Sequence, residues 1–254
     1  MRAPFKVKPR ISICTAVWNG LDFTKRFIES LETNPHLDYE LILVDNGSDQ
    51  EVSDYLKVKA DKFFRFETNQ GFCKGFNKAV ELCSHEYILL TNNDTVWPNE
   101  DWQKTLFWQF VLRRRTGLLF PCANHILMPA NLRSRKGNKV IKLKKWENFL
   151  CSGAAIFTKK TIFEKLQGFD ESYGTSGEDL DLQCKAWEAG YEIYVSEKVF
   201  VDHLGKASSQ RLSNREELWR RNSQKFWARW GSKLKKKSDG AGKNEKTGLL
   251  LNRG

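Results

Sequence analysis

Two acidic clusters and one histidine have the residue types and placement to do chemistry. The first is Thr91, Asn92, Asn93 and Asp94, directly after the apolar run Tyr87 to Leu90 and before Thr95, Val96, Trp97 and Pro98. Buried strand, polar tip, then turn is the arrangement that faces ligands in open α/β sheets, and the carboxylate is where a metal-bound diphosphate could be held. The second is Gly177, Glu178, Asp179, Leu180 and Asp181. Three carboxylates within four residues repel one another, but a helix N-terminus offers unpaired N–H groups and a favourable dipole end. Asp181 is expected to cap that helix, which leaves one of Glu178 and Asp179 to point into a cleft as an ionised base. His203 follows the apolar Val199, Phe200 and Val201; a neutral imidazole is a common metal ligand, and Asp94 gives it company.

These side chains need elements to hold them. Ile11 to Val17 reads as a first strand followed by the turn Trp18, Asn19, Gly20, and Asp22 is expected to cap a helix carrying Phe23, Phe27, Ile28 and Leu31. Tyr39 to Val44 is a second strand ending in Asp45, Asn46, Gly47, Ser48 and Asp49, and a helix is expected over Glu51 to Ala60. A third strand, Phe63 to Phe66, leads to Asn69, Gln70, Gly71 and Phe72, and then to a helix entered through Gly75 to Lys78. Tyr87 to Leu90 is the fourth strand. The alternating order predicts a parallel, doubly wound sheet with right-handed crossovers and its four polar tips at one edge.

The second half follows a different plan. Trp102 to Arg115 reads as a helix, Leu118 to Cys122 as a strand, and Gly137 and Asn138 as the turn of a hairpin. Phe149 to Thr158 reads as a buried strand whose small residues, Gly153 and Ala154 among them, let a ligand or another backbone approach. Lys160 to Leu166 is a short helix, Glu178 to Gly190 a longer one, and Tyr191 to Val195 and Lys198 to Asp202 are two late strands. A basic helix with Leu218, Trp219, Phe226, Trp227 and Trp230 covers about 214 to 237, and the tail after Ser238 has a disordered composition.

With 254 residues, 40% hydrophobic, the chain can bury a core of its own. The net charge of +11 is local: residues 131–147 carry +6 and residues 206–237 carry +9, leaving −4 elsewhere. An argument from overall charge toward polyanion binding is therefore misplaced. Six scattered cysteines without a Cys-x-x-Cys pair read as reduced thiols, with Cys14 and Cys151 as packing residues. Residues 1–10 lack the apolar stretch of a signal peptide, and no run approaches a spanning helix. The expectation is a cytoplasmic protein, at most peripheral at the inner face of a membrane.

Taken in order, Val44 to Ser48, Asn69 to Phe72 with Asn77, Asn92 to Asp94, Gly153 to Ala155, Gly168 to Asp170, Glu178 to Leu182, Gly190 with Tyr191, and His203 resemble the family 2 glycosyltransferases, particularly the rhamnosyltransferase-like branch. The likeness runs from Ile11 to about Ser209. It implies a GT-A fold, an α/β domain (11–210) with a mostly parallel doubly wound sheet. Residues 11–98 would be a Rossmann-like nucleotide-binding half and 99–210 an acceptor half. An N-terminal extension (1–10), the basic helix (211–237) and the tail (238–254) flank it.

The resemblance also implies inverting transfer of a sugar from a nucleotide diphosphate donor, a UDP- or dTDP-sugar with rhamnose among the candidates, to a glycan or lipid-linked hydroxyl. Asp45 and the backbone from Thr15 to Val17 would meet the nucleotide; Asn19, Asn69, Gly71, Lys74, Asn77, Asn92 and Asn93 complete the donor side. Asp94, last in the family's Asp-x-Asp element, would bind Mn or Mg with His203. Asp179 would be the general base beside Glu178, and Trp97, Gly153 and Ala154 would face the acceptor. Asn92 replaces the first acid of that element, which weakens the metal site, and Lys185 stands where an arginine is common, which puts an ion pair there in question.

The basic aromatic helix has three readings: packing against the domain, contact with an anionic membrane surface, and nucleic-acid binding. A nucleic-acid-binding protein is accordingly the rival class. A Rossmann dinucleotide enzyme is disfavoured because Trp18, Asn19, Gly20 offers no Gly-x-Gly-x-x-Gly, and a catalytically dead lectin-like relative because Asp94 and Asp179 are both present.

Overall fold

The computed structural model describes residues 9–34, 37–124, 137–145, 154–205 and 215–238. Cys151, Gly153, the first half of the strand expected over Phe149 to Thr158, and the tail after Ser238 lie outside them. Strand β1 (Ile11–Val17) is central, paired in parallel with β2 (Tyr39–Asn46) on one side and β4 (Tyr87–Thr91) on the other; β3 (Lys62–Phe66) pairs in parallel with β2 at the edge. Helices α1 (Leu21–Glu32), α2 (Gln50–Lys59) and α3 (Phe72–Glu81) connect these strands in the expected β-α-β order. Because helices pack on the sheet, β1 is buried at almost every position instead of on alternate ones.

Local differences have local causes. The N-cap of α1 is Gly20 in a left-handed conformation, and Asp22 lies one step inside the helix, where its charge complements the dipole without a cap hydrogen bond. Helix α3 begins at Phe72, three residues before Gly75, and its buried face runs through Cys73, Phe76, Ala79 and Val80.

The other half extends the same sheet with mixed direction. A two-residue strand β5 (Thr95–Val96) follows the β4 tip, then α4 (Trp102–Val111) and the wholly buried β6 (Thr116–Ala123). Next come β7 (Val140–Lys142), β8 (Ala155–Lys159), α5 (Lys160–Lys165), α6 (Glu178–Glu188), β9 (Glu192–His203) and α7 (Arg215–Ser238). The order across the sheet is β3-β2-β1-β4-β8-β6-β9-β5, with β7 on β9. Strand β8 runs antiparallel to both β4 and β6, whereas β6 and β9 are parallel. The two late strands expected from the sequence are one continuous β9. An irregularity in the β6 register between Pro121 and Cys122 lets the ladder pass Glu197 and Lys198 without breaking.

Helix α7 is packed, not detached: Phe226 and Trp230 join the same hydrophobic core as the sheet. No helix among the described residues is long and apolar enough to cross a membrane.

Candidate functional site

Strands β1 to β4 place their polar tips along one edge, and hydrogen bonds between tips fix their shape. At the β2 tip, Asp45 is fully buried; its Oδ1 accepts from Ser48 N–H at 2.8 Å and its Oδ2 lies 3.4 Å from Arg65 Nη1. Asn46 donates through Nδ2 to Asn69 Oδ1 and to the Gly71 carbonyl, both at 3.0 Å, and accepts from Gln70 N–H at 2.9 Å. The β2 tip thereby holds the loop after β3 in place. Arg65 was not singled out from the sequence, and Asn46 and Ser48, though part of the hydrogen-bonding run after Val44, were given no individual role. At the β1 tip Asn19 adopts φ 56°, donates its N–H to Ser48 Oγ and accepts from Asp49 N–H.

Several residues expected on the donor side carry structural duties. Thr15 Oγ1 donates to the Thr91 carbonyl at 2.9 Å and the Val17 side chain is fully buried, so only the backbone there can meet a ligand. Asn93 turns inward, Nδ2 to Thr24 Oγ1 at 2.9 Å. Asn77 brackets Phe169, donating to its carbonyl at 2.9 Å and accepting from its N–H at 3.0 Å, and thus secures the loop before α6. Lys74, partly exposed at the start of α3, donates to Gln70 Oε1.

At the β4 tip the chain brings together two residues far apart in sequence. Thr95 of β5 pairs with His203 of β9, which sets His203 Nε2 3.1 Å from Asp94 Oδ1. Asn92 donates its N–H to the Ala154 carbonyl at 2.9 Å, and its side-chain Oδ1 is buried without a hydrogen-bond partner among the described residues. Ala154 is likewise buried, its carbonyl accepting also from Thr91 Oγ1. Trp97, expected to face an acceptor, is 2% exposed and packs its ring 4.2 Å from that of Trp102 in the core.

The second acidic cluster opens α6, whose N-cap is Gly177. Glu178 is buried, and desolvation, with the charge of Asp179 second, pushes its carboxyl up to about 8. Asp179, 8% exposed, accepts from Leu180 N–H at 2.8 Å. Asp181 is not a cap. It is fully buried, accepting from Trp230 Nε1 at 2.8 Å and lying 3.2 Å from both Arg229 and Lys185. The ion pair at Lys185 therefore exists without an arginine, and Lys185 also donates to the Gly168 carbonyl at 3.1 Å.

The donor set at the β4 tip suits a hard divalent cation held partly by other oxygens. It offers one carboxylate, an unpartnered amide oxygen and one imidazole; no group of three or more His, Cys, Asp or Glu residues able to hold a metal is present among the described residues. Such a cation keeps waters and takes phosphate oxygens.

The sequence profile for glycosyl transferase family 2 matches residues 12–166. Among curated relatives, the teichuronic acid biosynthesis glycosyltransferase TuaG of Bacillus subtilis, itself a putative assignment, is 27% identical over 44% of this chain and 46% of its own length. An uncharacterized glycosyltransferase of Rickettsia prowazekii is 21% identical over 83% of this chain and 70% of its own. The chain thus spans about half of the first relative. In structure it is similar to S. aureus TarS in complex with UDP-GlcNAc, with a TM-score of 0.63 at 17% identity over 86% of this chain and 67% of that one. The mannosyltransferase PcManGT from Pyrobaculum calidifontis, in complex with GDP-Man and Mn2+, gives 0.62 at 14% identity over 91% and 65%. The fold is that of the GT-A glycosyltransferases.

Proposed function

Because the chain belongs to glycosyl transferase family 2, we propose that it transfers a sugar from a nucleotide diphosphate donor to a hydroxyl group. The observation that carries this is the Asp94–His203 contact of 3.1 Å at the β4 tip, on the edge that the tips of β1 to β4 share. The complexes of TarS with UDP-GlcNAc and PcManGT with GDP-Man support a nucleotide-sugar donor. The names of TuaG and of the putative colanic acid enzyme WcaA support a polysaccharide or lipid-linked glycan as acceptor.

The donor nucleotide is assigned to the β1 and β2 tips, bounded by Asn19, Asp45, Asn69 and Gly71. Asp94 and His203 would hold Mn or Mg, with Asn92 Oδ1 as a further oxygen; when bound, that ion neutralises charge on the departing diphosphate. Burial, with the Asp179 charge second, raises the Glu178 carboxyl, and Asp179 is the carboxylate of the pair that takes the base role. That carboxylate is the base that accepts the acceptor hydroxyl's proton as the oxygen attacks the anomeric carbon, with inversion. A positioned base contributes on the order of 10² to 10⁴ in rate.

The nucleic-acid reading loses its footing on α7. Lys225 and Arg229 are engaged with Asp170, Arg229 also with Asp181, and Lys233 with Glu188. Trp219 and Trp227, 36% and 38% exposed, form the face through which an anionic membrane surface would be met.

Release of nucleotide diphosphate from a panel of nucleotide sugars with Mn2+ tests the assignment, and Asp179→Asn should abolish release stimulated by acceptor while donor affinity stays unchanged. Normal turnover by Asp179→Asn would remove Asp179 from the base role.

A further inference from the structure

Helix α7 lies beyond the part of the chain matched by the family profile, residues 12–166, yet it grips the loop that delivers Asp179. Asn222 is 2% exposed, and its Nδ2 donates to three backbone carbonyls within a four-residue stretch: Tyr173 at 2.8 Å, Thr175 at 2.6 Å and Ser176 at 2.9 Å. Only the amide end of an asparagine can face three carbonyls, so the orientation of this side chain is fixed by its partners. One NH2 group has two protons, so these bonds are shared, and the three oxygens are drawn toward a single point.

The gripped backbone is unusual. Gly174, Ser176 and Gly177 have φ of 69°, 70° and 94°, and the serine has no glycine's freedom in that region. Such a conformation persists when its surroundings over-determine it. The next two residues are Glu178 and Asp179.

A second set of contacts anchors α7 to the same helix and loop. Trp230 and Arg229 hold Asp181, one turn into α6. Lys225 lies 3.1 Å from Asp170 and 4.2 Å from the centre of the Tyr173 ring. Across the loop, the Gly174 carbonyl accepts from Cys73 N–H at 3.0 Å, and a Cβ on Gly71 would come within 3.1 Å of that same oxygen. The loop is thus clasped between the donor-side start of α3 and the inner face of α7.

We propose that Asn222 is a positioning residue: through the Tyr173, Thr175 and Ser176 carbonyls, α7 sets the backbone from which Asp179 reaches the acceptor hydroxyl. This rests on the base assignment above. It is a statement about geometry, since a displacement of about 1 Å at a reacting group costs on the order of 100-fold in rate. Among the described residues Asn222 makes no hydrogen bond to a strand tip, so the donor side should be indifferent to it.

Asn222→Asp is the informative variant in the full chain, because it keeps the shape and replaces the donor by a group that only accepts. Asn222→Ser, which keeps one donor, is the partial rescue. For Asn222→Asp the expected result is a fall in kcat of at least about tenfold with the donor KM unchanged. Amide hydrogen exchange should become faster across residues 173–181 and stay unchanged in β1 and β2, with Asn222→Ser intermediate in both readouts. A parallel loss of donor affinity and of exchange protection throughout the sheet would make Asn222 an ordinary packing residue and overturn the proposal. So would full kcat with unaltered exchange at 173–181. The two readings separate: normal turnover by Asp179→Asn with a loosened loop in Asn222→Asp removes the base and keeps the clasp. An inactive Asp179→Asn with a fully active, fully protected Asn222→Asp does the reverse.

Discussion

His203 Nε2 lies 3.1 Å from Asp94 Oδ1 across 109 residues of chain. The antiparallel pairing of Thr95 with His203 and of Val96 with Asp202 produces this contact, and the Leu204 N–H bond to the Asp94 carbonyl at 2.8 Å holds the backbone there. If the pair is a metal site, His203→Ala should raise the Mn2+ concentration for half-maximal activity by about 10- to 100-fold. Asp94→Asn should leave little activity at any concentration. A Mn2+ titration of nucleotide release reads both, and an unchanged half-saturation in His203→Ala would reduce the contact to a structural hydrogen bond.

Glu178 makes a stability prediction with a definite sign. Burial, and then the Asp179 charge, raise its folded pKa from 4.5 to about 8. The folded state therefore holds a proton between those values that the unfolded chain has released, so stability falls as pH rises through that window. Glu178→Gln removes the titration while keeping size and hydrogen-bonding shape. Its Tm should match wild type near pH 5 and exceed it at pH 8 by at least about 2 °C, the shift that roughly 1 kcal/mol produces at this chain length. Parallel Tm-against-pH curves for the two proteins would show that Glu178 does not titrate in this range.

The first half was legible in the sequence because its signals are local. An apolar run that stops at Asp45, Asn69 or Asp94 announces a strand tip whatever lies beyond it, and the α/β alternation fixes which edge the tips share. Asp181 and Trp97 were misread for one reason. A carboxylate in a first helical turn and a tryptophan after a site motif look exposed until the tertiary partner is known. For Asp181 the partners are Arg229 and Trp230 on α7, 49 residues away in the case of Trp230; for Trp97 the partner is Trp102 in the core. Asn222 was invisible because it recognises main-chain carbonyls, which carry no side-chain signature.

Asn92 stands where the family's first acid would be, and its Oδ1 is buried without a hydrogen-bond partner among the described residues. Affinity of an oxygen site for a hard cation rises with the number of charged ligands. Asn92→Asp should therefore tighten Mn2+ binding by about tenfold or more, seen as a lower half-saturating concentration. In the absence of metal the same variant should lose Tm, because a second carboxylate is buried near Asp94 with no cation to offset it. A lower Tm that Mn2+ fails to restore would mean that the residue 92 side chain does not face the ion.

Asp45 sets two roles against each other. Its carboxylate is fully buried, tied to Ser48 N–H and to Arg65, so contact with a nucleotide requires the turn from Asp45 to Asp49 to open toward the ligand. Asp45→Asn keeps an oxygen for the Ser48 N–H and loses the negative charge. If Asp45 only shapes the turn, nucleotide affinity should be unaffected and the cost should appear as a lower Tm. If it accepts a hydrogen bond from base or ribose, Kd for the nucleotide should rise about tenfold, equivalent to about 1.4 kcal/mol, beyond any change in Tm. Because Arg65 is one-third exposed, its guanidinium can return to water when the ion pair opens, which keeps the cost of that movement small. We therefore expect the second outcome, measured by calorimetric titration of nucleotide diphosphate into each protein, with Arg65→Met as the control that loses Tm but retains nucleotide affinity.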